Sequence, residues 1–162
     1  MRQAVAAAAV FLLLGTAISA HVMVSPPRSK PGITQTYELR IRNESTVATT
    51  AVELQIPADV TVISVASPPV GTVETPKLGT RVTGITWHVT VEPSKYVALK
   101  FDARNPGSGE LHWNIRQEMA DGSVVDWSDA PGAKQKASVT TLGDHDSGTE
   151  AHEHADHDHR HH

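Results

Sequence analysis

His21 is the residue best placed to do chemistry, because it directly follows a run with the form of a secretory leader. If the leader is cut after Ala20, the freed α-amine and the imidazole Nδ1 of His21 can close a chelate ring on one metal ion. An α-amine titrates near about pH 8 and an imidazole near about 6.5, so both nitrogens can shed protons at neutral pH to bind a borderline metal. Copper(II) gains most from such nitrogen donors. A cut after Ser19 would instead leave Ala20 first and spoil the chelate.

The first twenty residues carry the leader pattern. Arg2 supplies a small positive start, Ala4 to Gly15 form an apolar stretch, and Thr16 to Ala20 (TAISA) bring small residues before the cut. The apolar run is too short to span a bilayer comfortably. Residues 1–20 therefore read as a cleaved signal peptide, and the product is expected to be secreted or periplasmic, with no membrane insertion after cleavage. Residues 21–142 then form one domain, and 143–162 form a tail. With no cysteine in the chain, the domain must hold itself by packing alone and has no thiolate ligands.

A second set of metal-capable side chains crowds the C-terminus. His145, His152, His154, His157, His159, His161 and His162 are interleaved with six acidic residues and one arginine in GDHDSGTEAHEHADHDHRHH. Imidazoles on a polar segment can wrap copper, zinc or nickel in many ways, giving capture with poor selectivity. The same segment has no apolar side chain larger than Ala and is expected to be disordered without metal. Outside the tail and leader, residues 21–142 hold twelve acidic and twelve basic residues. That balance leaves no basic patch for nucleic acid.

Strands must position these groups. Tyr37, Leu39 and Ile41 alternate with polar neighbours in Thr36–Arg42, as do Val52, Leu54 and Ile56 before Pro57. Val60–Val65, Val82–Val91, Tyr96–Phe101, Leu111–Gln117, Ser123–Trp127 and Ala137–Thr141 repeat the pattern. Gly and Pro mark the gaps at Pro31-Gly32, Pro68-Pro69, Pro106-Gly107, Asp121-Gly122 and Pro131-Gly132. Asp121-Gly122 predicts a hairpin with a type I′ turn. No segment of the domain shows a sustained helical period. The expected fold is all-β: an immunoglobulin-like antiparallel β-sandwich of about eight or nine short strands.

Several residues then read together. His21-Val22-Met23-Val24-Ser25-Pro26, the stretch Thr49–Pro57, and Asn105-Pro106 followed by Trp113 and by Gln117 through Asp121-Gly122-Ser123-Val124-Val125-Asp126-Trp127 resemble the YcnI-type copper-binding domain. The match is ordered along most of 21–142. The resemblance implies an exported sandwich that holds copper(II) through its N-terminal histidine, a monohistidine brace, with a carboxylate and a tryptophan around the ion. His21 carries over as the brace and Trp127 as the tryptophan. The family's usual carboxylate position is occupied here near Ala98, so Asp102, Glu118 and Asp126 stand as alternatives.

Trp127 is expected to cover the ion rather than bind it, since a neutral indole offers only an N–H donor. Trp87 and Trp113, inside alternating runs, read as core. Met23 lies on the same side of an extended strand as His21, where its thioether could approach copper(I), but a gap-filling role is the plainer expectation. His88 and His112 fall in strands and read as exposed or packed rather than coordinating.

The function expected is a copper(II)-binding accessory protein, a chaperone or reservoir serving a copper transporter or a copper-enzyme assembly protein, and not an enzyme. Two alternatives differ in class. The N-terminal His and its neighbours also resemble lytic polysaccharide monooxygenases, but those use a second brace histidine and substrate-binding aromatics, and the domain here has only His88 and His112 mid-chain. A structural sandwich with a nonspecific metal-binding tail would lose all copper binding when 143–162 is deleted.

Overall fold

A computed structural model describes residues 22–131, 133 and 135–143. The described chain is built from strands and turns, with no helix. In chain order the strands are β1 (Val22–Ser25), β2 (Arg28–Ser29), β3 (Thr34–Arg42), β4 (Thr49–Gln55), β5 (Thr61–Val65), β6 (Thr72–Glu74) and β7 (Lys77–Leu78). There follow β8 (Arg81–Val82), β9 (Gly84–His88), β10 (Tyr96–Arg104), β11 (Glu110–Met119), β12 (Val124–Trp127) and β13 (Ser138–Leu142). Nine of these hold four residues or more, in line with the expected count.

Two sheets face each other. One has the order β1-β3-β10-β5; the other has β2-β13-β11-β4-β9-β6, with β12 also on β11. A small β7–β8 ribbon lies apart. The period-2 pattern decides which face is buried: Tyr37, Leu39 and Ile41 of β3 and Leu99, Phe101 and Ala103 of β10 point inward, while Glu38, Arg40, Arg42, Lys100 and Arg104 point out. From the second sheet, Leu111, Trp113 and Ile115 of β11 and Ile85 and Trp87 of β9 close the core.

Aromatic rings fill its centre. Tyr37 stacks on Phe101 at 5.5 Å, and Trp113 meets both, at 5.0 and 5.7 Å. Two polar tips in this core find partners: Trp113 Nε1 donates to Thr140 Oγ1 at 3.0 Å, and the Tyr37 hydroxyl to Asn105 Oδ1 at 2.6 Å, while Trp87 Nε1 has none among the described residues. Burial pushes the Tyr37 phenol above its ordinary pKa, opposed by hydrogen bonds with Ser29 and Asn105.

Two expectations are corrected. The Val82–Val91 run is not one strand: it breaks at Thr83, whose N–H goes to Pro76 O, and at its end only Val91 bridges back, to Thr49. The Asp121-Gly122 hairpin is present, but positive φ occurs at Gly122 alone (80°), so the turn is not type I′. Gly122 N–H donates to Met119 O and Met119 N–H to Ser123 O, which makes a three-residue loop of a type I turn followed by a left-handed residue. Asp121 Oδ1 accepts from both N–H and hydroxyl of Ser123, which holds its carboxyl below the usual range.

Candidate metal site at the start of β1

Val22 opens β1 opposite Ile41, which is itself opposite Val97 of β10. His21 lies outside the described residues, as do Ala20 and the seven tail histidines His145, His152, His154, His157, His159, His161 and His162. What can be described is the end of the sandwich to which His21 is joined by one peptide bond, a Cα–Cα step of about 3.8 Å.

That end is shaped by the turn after β3. Asn43 is buried and fixes it: its amide donates to Val47 O at 2.8 Å and Val91 O at 2.7 Å, and its Oδ1 accepts from Ser45 N–H. Glu44, next along, is left exposed at the rim. Behind it a hollow of about 160 Å³ is walled by Arg42, Gln117, Met119, Val125 and Trp127 together with Glu44. A second, outward hollow of about 300 Å³ is lined by Arg40, Arg42, Glu44 and Tyr96. Glu44 is thus the one carboxylate lining either hollow.

Trp127 ends β12 opposite Ile115 and is only 4% exposed. Its Nε1 is buried without a hydrogen-bond partner among the described residues. A buried N–H without a partner costs about 1–3 kcal/mol, and the core indole of Trp87 shares this state. Beside it, Gln117 Nε2 donates to Thr49 Oγ1 at 2.6 Å, and Thr49 Oγ1 leans on Met119 Sδ at 3.8 Å.

The structure distributes the alternative carboxylates elsewhere. Asp102 shares the outer face with Ala98 but stands five residues from Val97, about 17 Å along β10 at about 3.4 Å per residue. Its two oxygens accept from Thr36 Oγ1 at 2.6 Å and Ser64 Oγ at 2.7 Å, and these bonds lower its pKa. Glu118 and Asp126 point to the outer side of the second sheet, away from Trp127 and Met119. Asp126 lines a hollow of about 570 Å³ with Arg116, Glu53 and Gln55.

Met23 fills no core gap: it is 48% exposed on the outer face, opposite Arg40, with Ser25 Oγ 3.9 Å from its sulfur. Trp87 and Trp113 are fully buried core residues. His88 and His112 are exposed on the outer face of the second sheet, beside Glu74 and between Glu110 and Asp129 respectively. Sequence reasoning missed Glu44 and Met119. Glu44 follows the β3 alternation by two residues in a polar stretch, and nothing local in Asn43-Glu44-Ser45 announces that the turn returns over Trp127.

Among the described residues no three His, Cys, Asp or Glu side chains converge on one point. Among the described residues, Glu44 therefore stands in both hollows with no second His, Cys, Asp or Glu lining them. Arg42 in both hollows opposes a bare cation unless Glu44 stays ionised beside it.

Two largely antiparallel sheets packed face to face define an immunoglobulin-like β-sandwich. The chain belongs to the family described as "Domain of unknown function (DUF1775)", which it matches over residues 21–141. It is 32% identical over 128 residues to "Copper-binding protein CutI" of Bacillus subtilis (strain 168), an alignment covering 76% of this chain and 63% of that protein. Its fold is similar to a protein of Nocardia farcinica whose crystal structure is described as an immunoglobulin-like fold, with a TM-score of 0.67, 23% identity, and coverage of 76% of this chain and 99% of that one. A non-cellulosomal cohesin from Archaeoglobus fulgidus shares the architecture more loosely, with a TM-score of 0.50, 13% identity, and coverage of 82% and 97%.

Proposed function

We propose that this protein is an exported copper(II)-binding accessory protein, a chaperone or reservoir, that anchors the ion with the α-amine and Nδ1 of His21. Glu44 supplies the carboxylate oxygen, and Trp127 closes the hollow, its free N–H donating to an oxygen of the metal's ligand set. Copper is cargo here, held by few protein donors so that ligand exchange can pass it to a copper transporter or a copper-enzyme assembly protein. The histidine-rich tail serves as a low-selectivity collector.

The observation that carries this reading is the coincidence at one end of the sandwich of Glu44, the unpartnered Trp127 N–H and the start of β1. The kinship to a protein named as copper-binding supports the choice of metal. A binding rather than a catalytic role is favoured by the placement of His88 and His112 on the outer side of the second sheet, remote from Trp127's face.

The test is a competitive copper(II) titration of the chain beginning at His21 and of its Glu44→Gln variant. The tightest site of the wild type should be stronger than about micromolar, roughly 8 kcal/mol of binding. It should weaken by about tenfold or more, some 1.4 kcal/mol, in Glu44→Gln, while Asp102→Asn leaves it unchanged. Equal affinity in the wild type and Glu44→Gln removes Glu44 from the site.

A further inference from the structure

We infer a second metal site on the outer face of β11, built from His112 Nε2 and the Glu110 carboxylate, with Asp129 holding the imidazole, and suited to a borderline divalent ion such as Zn²⁺. His112 and Glu110 are two residues apart on one strand, so both point outward. His112 Nδ1–H donates to Asp129 Oδ2 from the chain beyond β12. In the neutral imidazole that bond places the proton on Nδ1 and leaves Nε2 with its lone pair free. Facing it at 3.5 Å is Glu110 Oε2, also an acceptor and too distant for a hydrogen bond.

A neutral imidazole nitrogen and a carboxylate oxygen this close can share a cation, a proton or a metal ion. For metal bonds of about 2.0–2.1 Å in tetrahedral geometry, neighbouring donor atoms stand about 3.3 Å apart, close to the separation found. A carboxylate on the far nitrogen of a ligating histidine is the usual way of fixing its tautomer and raising its basicity. Asp129 sits on Nδ1, so it cannot be a third ligand; water completes the coordination. All three side chains are partly exposed, which leaves the ion an open path.

The site is separate from the one proposed at the start of β1. His112 is seven residues from Met119 on β11, about 24 Å at about 3.4 Å per residue. Glu110 is paired with Thr141, so the histidine-rich sequence is attached two residues further along, at Gly143. The inference does not depend on His21.

The test follows the imidazole ¹⁵N resonances of the full chain, labelled at histidine, through a ZnCl₂ titration. In the metal-free protein His112 should show its proton on Nδ1. Zinc should then shift the His112 Nε2 resonance saturably. Glu110→Gln should raise the zinc concentration at half-change, and Asp129→Asn should both mix the tautomers and weaken binding by about 10–100-fold. A His112 Nε2 resonance that stays fixed while the tail histidines saturate overturns the site. So does a shift with the same midpoint in the wild type and Glu110→Gln. Neither result touches the copper reading, which is decided at Glu44 and His21.

Discussion

Replacing Asn105 by Ala removes the polar knot that ties the end of β10 to the β2 turn and to the aromatic core. The side-chain amide makes three hydrogen bonds: it accepts from the Tyr37 hydroxyl at 2.6 Å and donates to Ser29 Oγ at 2.9 Å and to Lys30 O at 2.8 Å. Asn105 and Tyr37 are both buried, so water does not readily replace the lost partner. At about 1 kcal/mol for each of the three bonds, the loss is about 3 kcal/mol. For a folded unit of this size, about 4 °C of Tm per kcal/mol turns this into roughly 12 °C. Thermal unfolding followed by near-UV circular dichroism reads it directly, since Tyr37 lies among Phe101 and Trp113. A shift below about 4 °C, the equivalent of a single weak hydrogen bond, would show that the knot does not carry the stability assigned to it.

Further outcomes follow from other named contacts. Asp102, its pKa lowered by Thr36 and Ser64, adds stability that is complete above the ordinary carboxylate value of 3.8 and lost as pH falls through the lowered folded value. Urea midpoints should therefore favour the wild type over Asp102→Asn near pH 7, with the gap closing in acid; a gap independent of pH contradicts this. Gly71 has φ 114° and lies against the His88 carbonyl, where a methyl group would collide. Gly71→Ala should cost about 2 kcal/mol or more and release β6 from β9, read as faster amide exchange at Val73. Trp127→Phe keeps an aromatic ring in the hollow but removes the free N–H. It should sharply reduce the copper-induced quenching of tryptophan emission, because Trp127, unlike Trp87 and Trp113, lines the hollow beside Glu44.

The sandwich itself was legible because its strands alternate cleanly. Tyr37, Leu39 and Ile41, and Leu111, Trp113 and Ile115, declare which face is buried before any coordinate is known. Short pieces were not legible: β6 contributes a single inward residue, Val73, between proline-bearing segments, and no periodicity exists in three residues. The type I′ expectation failed for a local reason. The loop contains Ala120 as well as Asp121 and Gly122, and the extra residue lets one glycine carry the only left-handed φ.

Half of the candidate site could be read from residue types and half could not. Trp127 stood out from its place after the hairpin. Glu44 depends on how the turn after β3 folds back over the end of β11, a long-range fact fixed by the buried Asn43 amide. Asp102 was attractive because it shares a face with Ala98, and the alternation rule does give the face correctly. Position along the strand is a different quantity: about 17 Å separates the level of Asp102 from that of Val22, and burial patterns carry no information about it.

The proposed copper site rests on His21 standing first in the chain, with its α-amine free. Continuous-wave EPR of the copper(II)-loaded protein, compared with a form that retains Ala20 ahead of His21, tests it most directly. A chain that starts at His21 should show nitrogen hyperfine structure from two unlike donors at one equivalent of copper, and the extended form should lose that signal at the same loading. Identical spectra from the two forms would contradict the account.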